Sequence, residues 1–383
     1  MKNVALLVET SLASGRDILA GISRFLHEQA DWNIFHQTGP LGVMVPSSLA
    51  GWNGDGIIVR IADPEVLALV KSKNVPVVDV LGNVTGAGIP SVICDDAAIS
   101  QVAMEHFVER GFGHFAFLGF AGKPWSERRL RAFMALAGRR KGASFSSLEV
   151  SYEEKNGDNW LGYLQRLQEW IRPLPKPLAI MVGSDQLGAD VLHACRALGV
   201  VVPGEVSVVG VDNDAAFCGV CVPTLSSVMA NHEEAGYQAA LMLNRLMTAK
   251  PRGMRSITIK PGKLQLRGSS DATASEDRNL IKAYQVIREE ACRGLQVEAV
   301  AKAVGLSRSV LQRKFKTAFG HTVLDAIVMT RVGRAKGLLA NTGLSIERVA
   351  QLSGFKNRAY LGYVFRRQTG QTVASFRNLS RQN

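Results

Sequence analysis

Two hydrophobic patterns take turns along the first 268 residues. Short runs rich in Val, Ile and Leu alternate with longer stretches in which apolar side chains recur every three or four positions. The runs at 3–9 (NVALLVE), 32–37, 55–61 (DGIIVRI), 75–82, 91–95, 114–120 (HFAFLGF), 178–185 and 206–214 (VSVVGVDND) predict strands, and 148–154 (LEVSYEE) suggests another. The stretches at 15–30, 64–73, 97–110, 126–140, 159–171 and 186–198 predict helices. In the first of them Ile18, Leu19, Ile22, Phe25 and Leu26 share one face. Pro64 opens the second at a first-turn position.

Near-continuous apolar strands separated by helices predict an α/β fold with parallel sheets covered on both faces. The pattern restarts near Asp95, so two doubly wound lobes are expected, with the chain crossing between them near 95, 222 and 255. Ligands of such sheets bind beyond the carboxyl ends of the strands. Glu9, Asp95, Asp185 and Asp212 all stand at predicted strand ends. A lone acid there is usually a helix cap, whereas several together with aromatics fit a polar-ligand cleft. Asp95 and Asp96 are expected to serve the crossover between lobes.

Beyond residue 268 the pattern changes. The stretch GSSDATASEDR (268–278) is small and polar and predicts a linker, placed at 269–278 between a domain at 1–268 and an all-α domain at 279–383. The last segment repeats itself. Val297, Val300, Ala301 and Gly305 of VEAVAKAVGLSRSVLQRKFKTAFG correspond to Ile346, Val349, Ala350 and Gly354 of IERVAQLSGFKNRAYLGYVFRRQTG. After one inserted residue, Leu311, Phe315 and Gly320 correspond to Leu361, Phe365 and Gly370. Each copy reads as a helix, a turn with glycine suited to a left-handed conformation, a capping Ser307 or Asn357, and a second helix. Two helix-turn-helix motifs are implied.

Charge sharpens that conclusion. Residues 276–383 hold 19 Lys and Arg against 7 Asp and Glu, a net of +12, while residues 1–275 hold 26 of each. The whole excess lies in the repeated segment, as expected for a nucleic-acid domain fused to a neutral one. The second helices leave Arg308, Ser309, Gln312 and Arg313, and Asn357, Arg358 and Tyr363, as candidates for contact with base edges. Lys314, Lys316, Arg366 and Arg367 suit phosphates. Two such helices in one domain are expected to enter successive major-groove segments of double-stranded operator DNA.

Other classes find little support. There is no complete GxGxxG, no GxSxG and no GxxxxGKS motif, and no His pair sits at metal spacing. An enzyme is therefore not expected, and neither a metal nor another cofactor. Five scattered cysteines, including the FCGVCVP pair Cys218 and Cys221, do not form a disulfide framework, and the pair is expected to be structural. No apolar run reaches membrane-spanning length and no leader pattern opens the chain, so a cytoplasmic protein without membrane attachment is expected.

Residues 279–378 resemble the DNA-binding domain of the AraC/XylS family of bacterial transcription regulators. The likeness includes the connecting helix at 325–346, with Arg331, Ala335 and Leu339 at the family's spacing. Val373 stands where that family usually has Pro, and Phe376 where it usually has Tyr. The front part resembles the periplasmic-binding-protein-like sensor of the LacI/GalR family, most closely over 179–243, through SDQLGADVL and VSVVGVDN followed by PTLSSV. That resemblance implies sugar contacts from Asp212 and from Arg129, which follows Trp125 at a helix start. It also implies contacts from Ser11 and Arg16 after the first strand.

A sugar offers hydroxyls to carboxylates and guanidiniums, in charge-assisted hydrogen bonds, and a ring face to an aromatic. Asp212, Asn213, Asp185, Arg129, Arg16, Glu9 and Trp125 supply those groups, with Trp125 equally suited to a core. The combined resemblance implies a D-xylose-type monosaccharide held between lobes that close on it, and a homodimer on paired operator sites. It also implies activation of sugar-catabolism genes through RNA polymerase. Another monosaccharide or polyol fits the same residues.

Overall fold

A computed structural model describes residues 1–36, 49, 51–84, 88–249, 255–272, 274–275 and 277–382. The chain forms two compact units, Met1–Asp271 and Ala272–Asn383. In the first unit the order is β1 (Lys2–Leu7), α1 (Ala13–Gln29), β2 (Trp32–His36), β3 (Gly56–Val59), α2 (Pro64–Ser72), β4 (Val77–Asp79), β5 (Val92–Cys94), α3 (Asp96–Glu109), β6 (His114–Phe120), α4 (Pro124–Gly138) and β7 (Ser144–Val150). It continues with α5 (Tyr152–Asn156), α6 (Trp160–Ile171), β8 (Leu178–Val182), α7 (Asp185–Ala197), β9 (Val206–Val211), α8 (Ala215–Val220), β10 (Ser226–Val228), α9 (His232–Ala249), β11 (Ile257–Ile259) and β12 (Leu264–Gln265).

Two sheets make two lobes. Lobe 1 has the order β2-β1-β3-β4, all parallel, with the pair β5-β11 joined to it through a bridge between Asp79 and Ser91. Lobe 2 has the order β12-β10-β9-β8-β6-β7, parallel except for β12. The strands are buried because their residues are apolar on both faces; β3, β8 and β9 expose nothing. In lobe 1, α1 and α9 cross so closely that a Cβ on Gly21 would lie 1.8 Å from the Glu233 carbonyl oxygen, and one on Gly236 would lie 2.0 Å from that of Ile18. No larger residue fits at that crossing.

The chain leaves lobe 1 after β5. Its other two crossings, expected near 222 and 255, fall at 229–231 and 260–263. The reason is pairing: β10 still belongs to lobe 2 beside β9, and β11 still belongs to lobe 1 beside β5. The expected strand at 148–154 is also corrected. β7 runs along a sheet edge from Ser144, where polar residues are tolerated. It ends before Ser151, whose hydroxyl caps α5 by accepting from the Glu154 N–H at 3.0 Å. Ser269 and Ser270, read as linker, are buried parts of lobe 2. The Ser269 hydroxyl donates to the Val208 carbonyl at 2.6 Å, and Ser270 Oγ lies 2.8 Å from His106 Nε2. Residues 37, 273 and 276 of the expected strand and linker lie outside the described residues.

The second unit holds α10 (Arg278–Glu290), a single 3-10 turn (Ala291–Arg293), α11 (Val297–Ala303), α12 (Arg308–Phe319), α13 (Val323–Asn341), α14 (Ile346–Leu352), α15 (Arg358–Thr369) and α16 (Val373–Gln382). It has two cores. One gathers α10, α11, α12 and the start of α13 around Leu311 and Phe315; the other gathers the end of α13 with α14, α15 and α16 around Leu361 and Phe365. α13 is thus shared, and a capping box of Thr322 and Asp325 fixes its start. Arg331 on α13 donates to the carbonyls of Ala291 at 2.8 Å and Leu295 at 3.2 Å, tying the shared helix to the first core. Phe376 packs edge-on against Phe365, with ring centroids 5.4 Å apart.

Candidate functional site

The strand ends of the two lobes bring together side chains that are far apart in sequence. β9 is followed by Asp212 and Asn213, both with positive φ, 100° and 55°. Non-glycine residues held there cost about 1–3 kcal/mol each and recur at functional sites. The turn is held by three bonds: the Asp212 N–H to the Val228 carbonyl (3.0 Å), the Asn213 N–H to Ser227 Oγ (2.9 Å), and an Arg267 guanidinium N–H to Asn213 Oδ1 (2.7 Å). The Asp212 carboxylate is 21% exposed and lies 3.0 Å from His232 Nε2, at the first residue of α9. The other ring nitrogen of His232 lies 3.5 Å from the Cys94 sulphur at the end of β5.

The electrostatics follow from these contacts. Burial works against the Asp212 carboxylate, yet the His232 hydrogen bond and charge, with the Arg129 and Arg60 guanidiniums, hold it below its ordinary range. Burial likewise works against His232 as a cation. The Cys94 sulphur and the Asp212 carboxylate outweigh it and raise the imidazole to about 10. Asp212 and His232 therefore form an ion pair at neutral pH. Asp17 on α1 faces the same group, and burial pushes its carboxyl up.

The expected effector residues divide into two sets. Arg129 is buried, with Nε on Asp96 Oδ1 at 2.8 Å and a terminal nitrogen on the Gly183 carbonyl at 2.6 Å; its guanidinium lies 5.0 Å from the centre of the Trp125 ring. Trp125 also packs on the core of lobe 2 and against Phe120. Arg16 is exposed on α1 and reaches Asp214 at 3.0 Å, a tie from lobe 1 to lobe 2. Arg128 makes a second tie, to the Gly82 carbonyl at 3.1 Å. Asp212, Arg129 and Arg16 thus border the space where the lobes meet, and Trp125 lies beside Arg129.

Asp185, Asn213, Glu9 and Ser11 make their hydrogen bonds within single lobes. Asp185 accepts from Ser227 Oγ at 2.6 Å and from the Asp214 N–H at 2.8 Å, and burial with the nearby Asp212 charge raises its carboxyl to about 7. The Asn213 side-chain oxygen is occupied by Arg267. Buried Glu9 accepts from Ser11 Oγ and from the Leu12 N–H, and pairs with Arg60. Asp96, at the crossover as expected, is the carboxylate shared by Arg128 and Arg129.

Arg60 and His232 were missed in sequence. Each is a single residue whose partners lie tens or hundreds of positions away. Arg60 left a faint signal, a lone charge inside the apolar run IIVRI.

In the helical unit the second helix of each copy carries its cations on the surface. Arg308, Ser309, Arg313 and Lys316 on α12 are exposed and Gln312 is partly so; on α15, Arg358, Tyr363, Arg366 and Arg367 are exposed. Arg358, Tyr363, Arg366 and Arg367 line one surface depression of about 700 Å³ with Thr372 and Ala374. Four of these candidates already have partners within the unit. Asn357 Oδ1 caps α15 by accepting from the Tyr360 N–H at 2.8 Å, so that oxygen is not free for a base. Lys314 is paired with Asp277 at 2.8 Å, and Arg308 with Glu298. Ser309 Oγ lies 3.2 Å from Ser307 Oγ.

Comparison with known proteins places each part. Residues 3–91 match a XylR N-terminal domain, 104–270 a periplasmic binding protein-like domain, and 300–379 a helix-turn-helix domain. The chain is 30% identical over 98% of its length to the xylose operon regulatory protein of Escherichia coli K12, covering 97% of that protein. It is 29% identical to the protein of that name in Haemophilus influenzae, covering 97% of it. A solved structure described as the xylose-binding transcription activator XylR aligns with a TM-score of 0.83 at 29% identity, over 99% of this chain and 98% of that one. A LacI family regulator from Enterococcus faecalis with bound ribose shares the sensor fold alone, at 16% identity and a TM-score of 0.58, over 72% of this chain and 100% of that one.

Proposed function

Because the chain belongs to the family of the xylose operon regulatory proteins, we propose that it is a D-xylose-responsive activator that works as a homodimer on paired operator sites. It is a transcription regulator with a sugar-sensing α/β unit and a helix-turn-helix DNA-binding unit, and not an enzyme. Xylose and activation are carried over from what the names of its relatives say of them.

One observation carries the sugar reading. Asp212, His232 and Arg129 meet between the lobes as paired charges, and each lobe contributes at least one of them. Charged hydrogen bonds to hydroxyls are strong. A polyol held from both sides binds the closed arrangement better than an open one, and that difference shifts the population of states. In this account Asp212 and Arg129 contact sugar hydroxyls, Trp125 covers a ring face and Arg16 closes the rim. Asp185, Asn213, Glu9 and Ser11 hold those groups in place. Gln312, Arg313, Arg358 and Tyr363 read bases, while Lys316, Arg366 and Arg367 hold phosphates, and the closed dimer recruits RNA polymerase.

The test is thermal unfolding of the purified protein with D-xylose, D-ribose, L-arabinose and D-glucose. A ligand of the folded state raises the melting temperature with the logarithm of its concentration relative to its Kd. D-xylose is expected to raise it most. A shift with another of these sugars and none with D-xylose would contradict the choice of effector.

A further inference from the structure

Arg60 follows β3, at the carboxyl end of the lobe 1 sheet. Its side chain is 7% exposed. A guanidinium taken out of water needs its N–H groups satisfied. A terminal nitrogen reaches Glu9 Oε2 at 3.4 Å, long for a charge-assisted bond. The Nε is buried and has no hydrogen-bond partner among the described residues. Arg129 differs: its Nε and one terminal nitrogen are taken by Asp96 and the Gly183 carbonyl. Of these two buried guanidiniums at the meeting of the lobes, Arg60 is the one with an idle Nε donor.

Its surroundings say what would use that donor. Arg60 is paired with Glu9, Asp212 with His232, and Arg129 with Asp96. Arg128 shares Asp96 with Arg129, so every one of these cations already has a carboxylate partner, and an acid entering here would compete with it. A hydroxyl oxygen accepts the bond and brings no charge. We propose that Arg60 donates through Nε to a hydroxyl oxygen of a neutral polyol, as the lobe 1 contact of a clamp completed from lobe 2 by Asp212. Glu9 is then a positioning residue that holds Arg60. The proposal rests on the sugar-sensing role given above and adds a residue to it.

Calorimetric titration of the full chain tests this, using D-xylose, the three other sugars and D-xylonate, which carries a carboxylate in place of the sugar's carbonyl carbon. Arg60→Gln and Arg60→Lys are compared with the wild type, with unfolding curves recorded without ligand. Lysine keeps the charge beside Glu9 but has no Nε–H, so Arg60→Lys decides the matter if Arg60→Gln does not fold. The expected result is at least tenfold weaker sugar binding in both variants, with D-xylonate at least tenfold weaker than D-xylose on the wild type. Wild-type affinity in Arg60→Lys would overturn the role of Arg60 and leave the sugar-sensing role standing. Tighter binding of D-xylonate than of D-xylose would overturn the neutral class. A wild type that binds none of the sugars would overturn both this proposal and the role it rests on.

Discussion

The two helix-turn-helix copies share a plan and differ in how their charges and turns are held. In the first copy Arg308 is paired with Glu298 and Lys314 with Asp277. In the second, no cation is held in an ion pair among the described residues, and Arg358, Arg366 and Arg367 stand together around one depression. The turns differ too. Gly305 and Gly354 both have positive φ, 68° and 75°. A Cβ on Gly305 would meet open space, whereas one on Gly354 would lie 2.6 Å from the Cys292 Cα. Equivalent positions in a repeat therefore carry unequal loads. The second turn is pressed against the entry to the first copy, and the second recognition helix offers the more available charge.

Substitutions can break that comparison. The largest effect is expected at the turns. Gly354→Ala meets both the left-handed φ and backbone that cannot yield, and should cost more than about 3 kcal/mol. Gly305→Ala should cost about 1 kcal/mol for φ alone. Urea unfolding of the two variants measures the gap, and equal losses would show that the Cys292 contact relaxes. Next come the cations. Arg366→Ala and Arg367→Ala should each reduce the slope of log affinity against log salt by about 1, the loss of one phosphate contact. Lys314→Ala should change it less, because its ammonium is already partnered. Glu298→Gln should release Arg308 and strengthen DNA binding a few-fold at low salt. Loss of affinity in that variant would show the pair to be part of the binding surface. The smallest effect is at the caps. Asn357→Ala removes a 2.8 Å bond and Ser307→Ala a 3.4 Å one. The first should cost about 1 kcal/mol of stability and the second about 0.5 kcal/mol.

The same contrast explains what the sequence made legible. Repeats announce themselves, because Ala301 and Ala350, Leu311 and Leu361, or Phe315 and Phe365 are visible as pairs without knowledge of the fold. Alternating apolar runs were enough for the two lobes. Boundaries failed where local chemistry outweighed pattern. The SYEE of 151–154 is a helix cap that followed an edge strand too polar to stand out. Ser269 and Ser270 look like linker, but Ser269 satisfies buried backbone in lobe 2 and Ser270 pairs with the His106 ring. The space between the lobes was the least legible part. Strand ends pointed to Asp212, but His232 and Arg60 meet it only through topology. Asp185 and Asn213 stood at the right ends and turned inward, because hydrogen bonds to Ser227, Asp214 and Arg267 hold them.

The central claim is that occupancy of the cleft governs the DNA-binding unit. The direct measurement is the affinity of the full-length protein for a DNA duplex it has selected from a random-sequence pool, at one fixed salt concentration, with and without saturating D-xylose. The account predicts at least tenfold tighter binding with the sugar, and loss of that gain in Asp212→Ala while sugar-free affinity is kept. Equal affinity with and without D-xylose, in protein shown by calorimetry to have bound it, would contradict the claim.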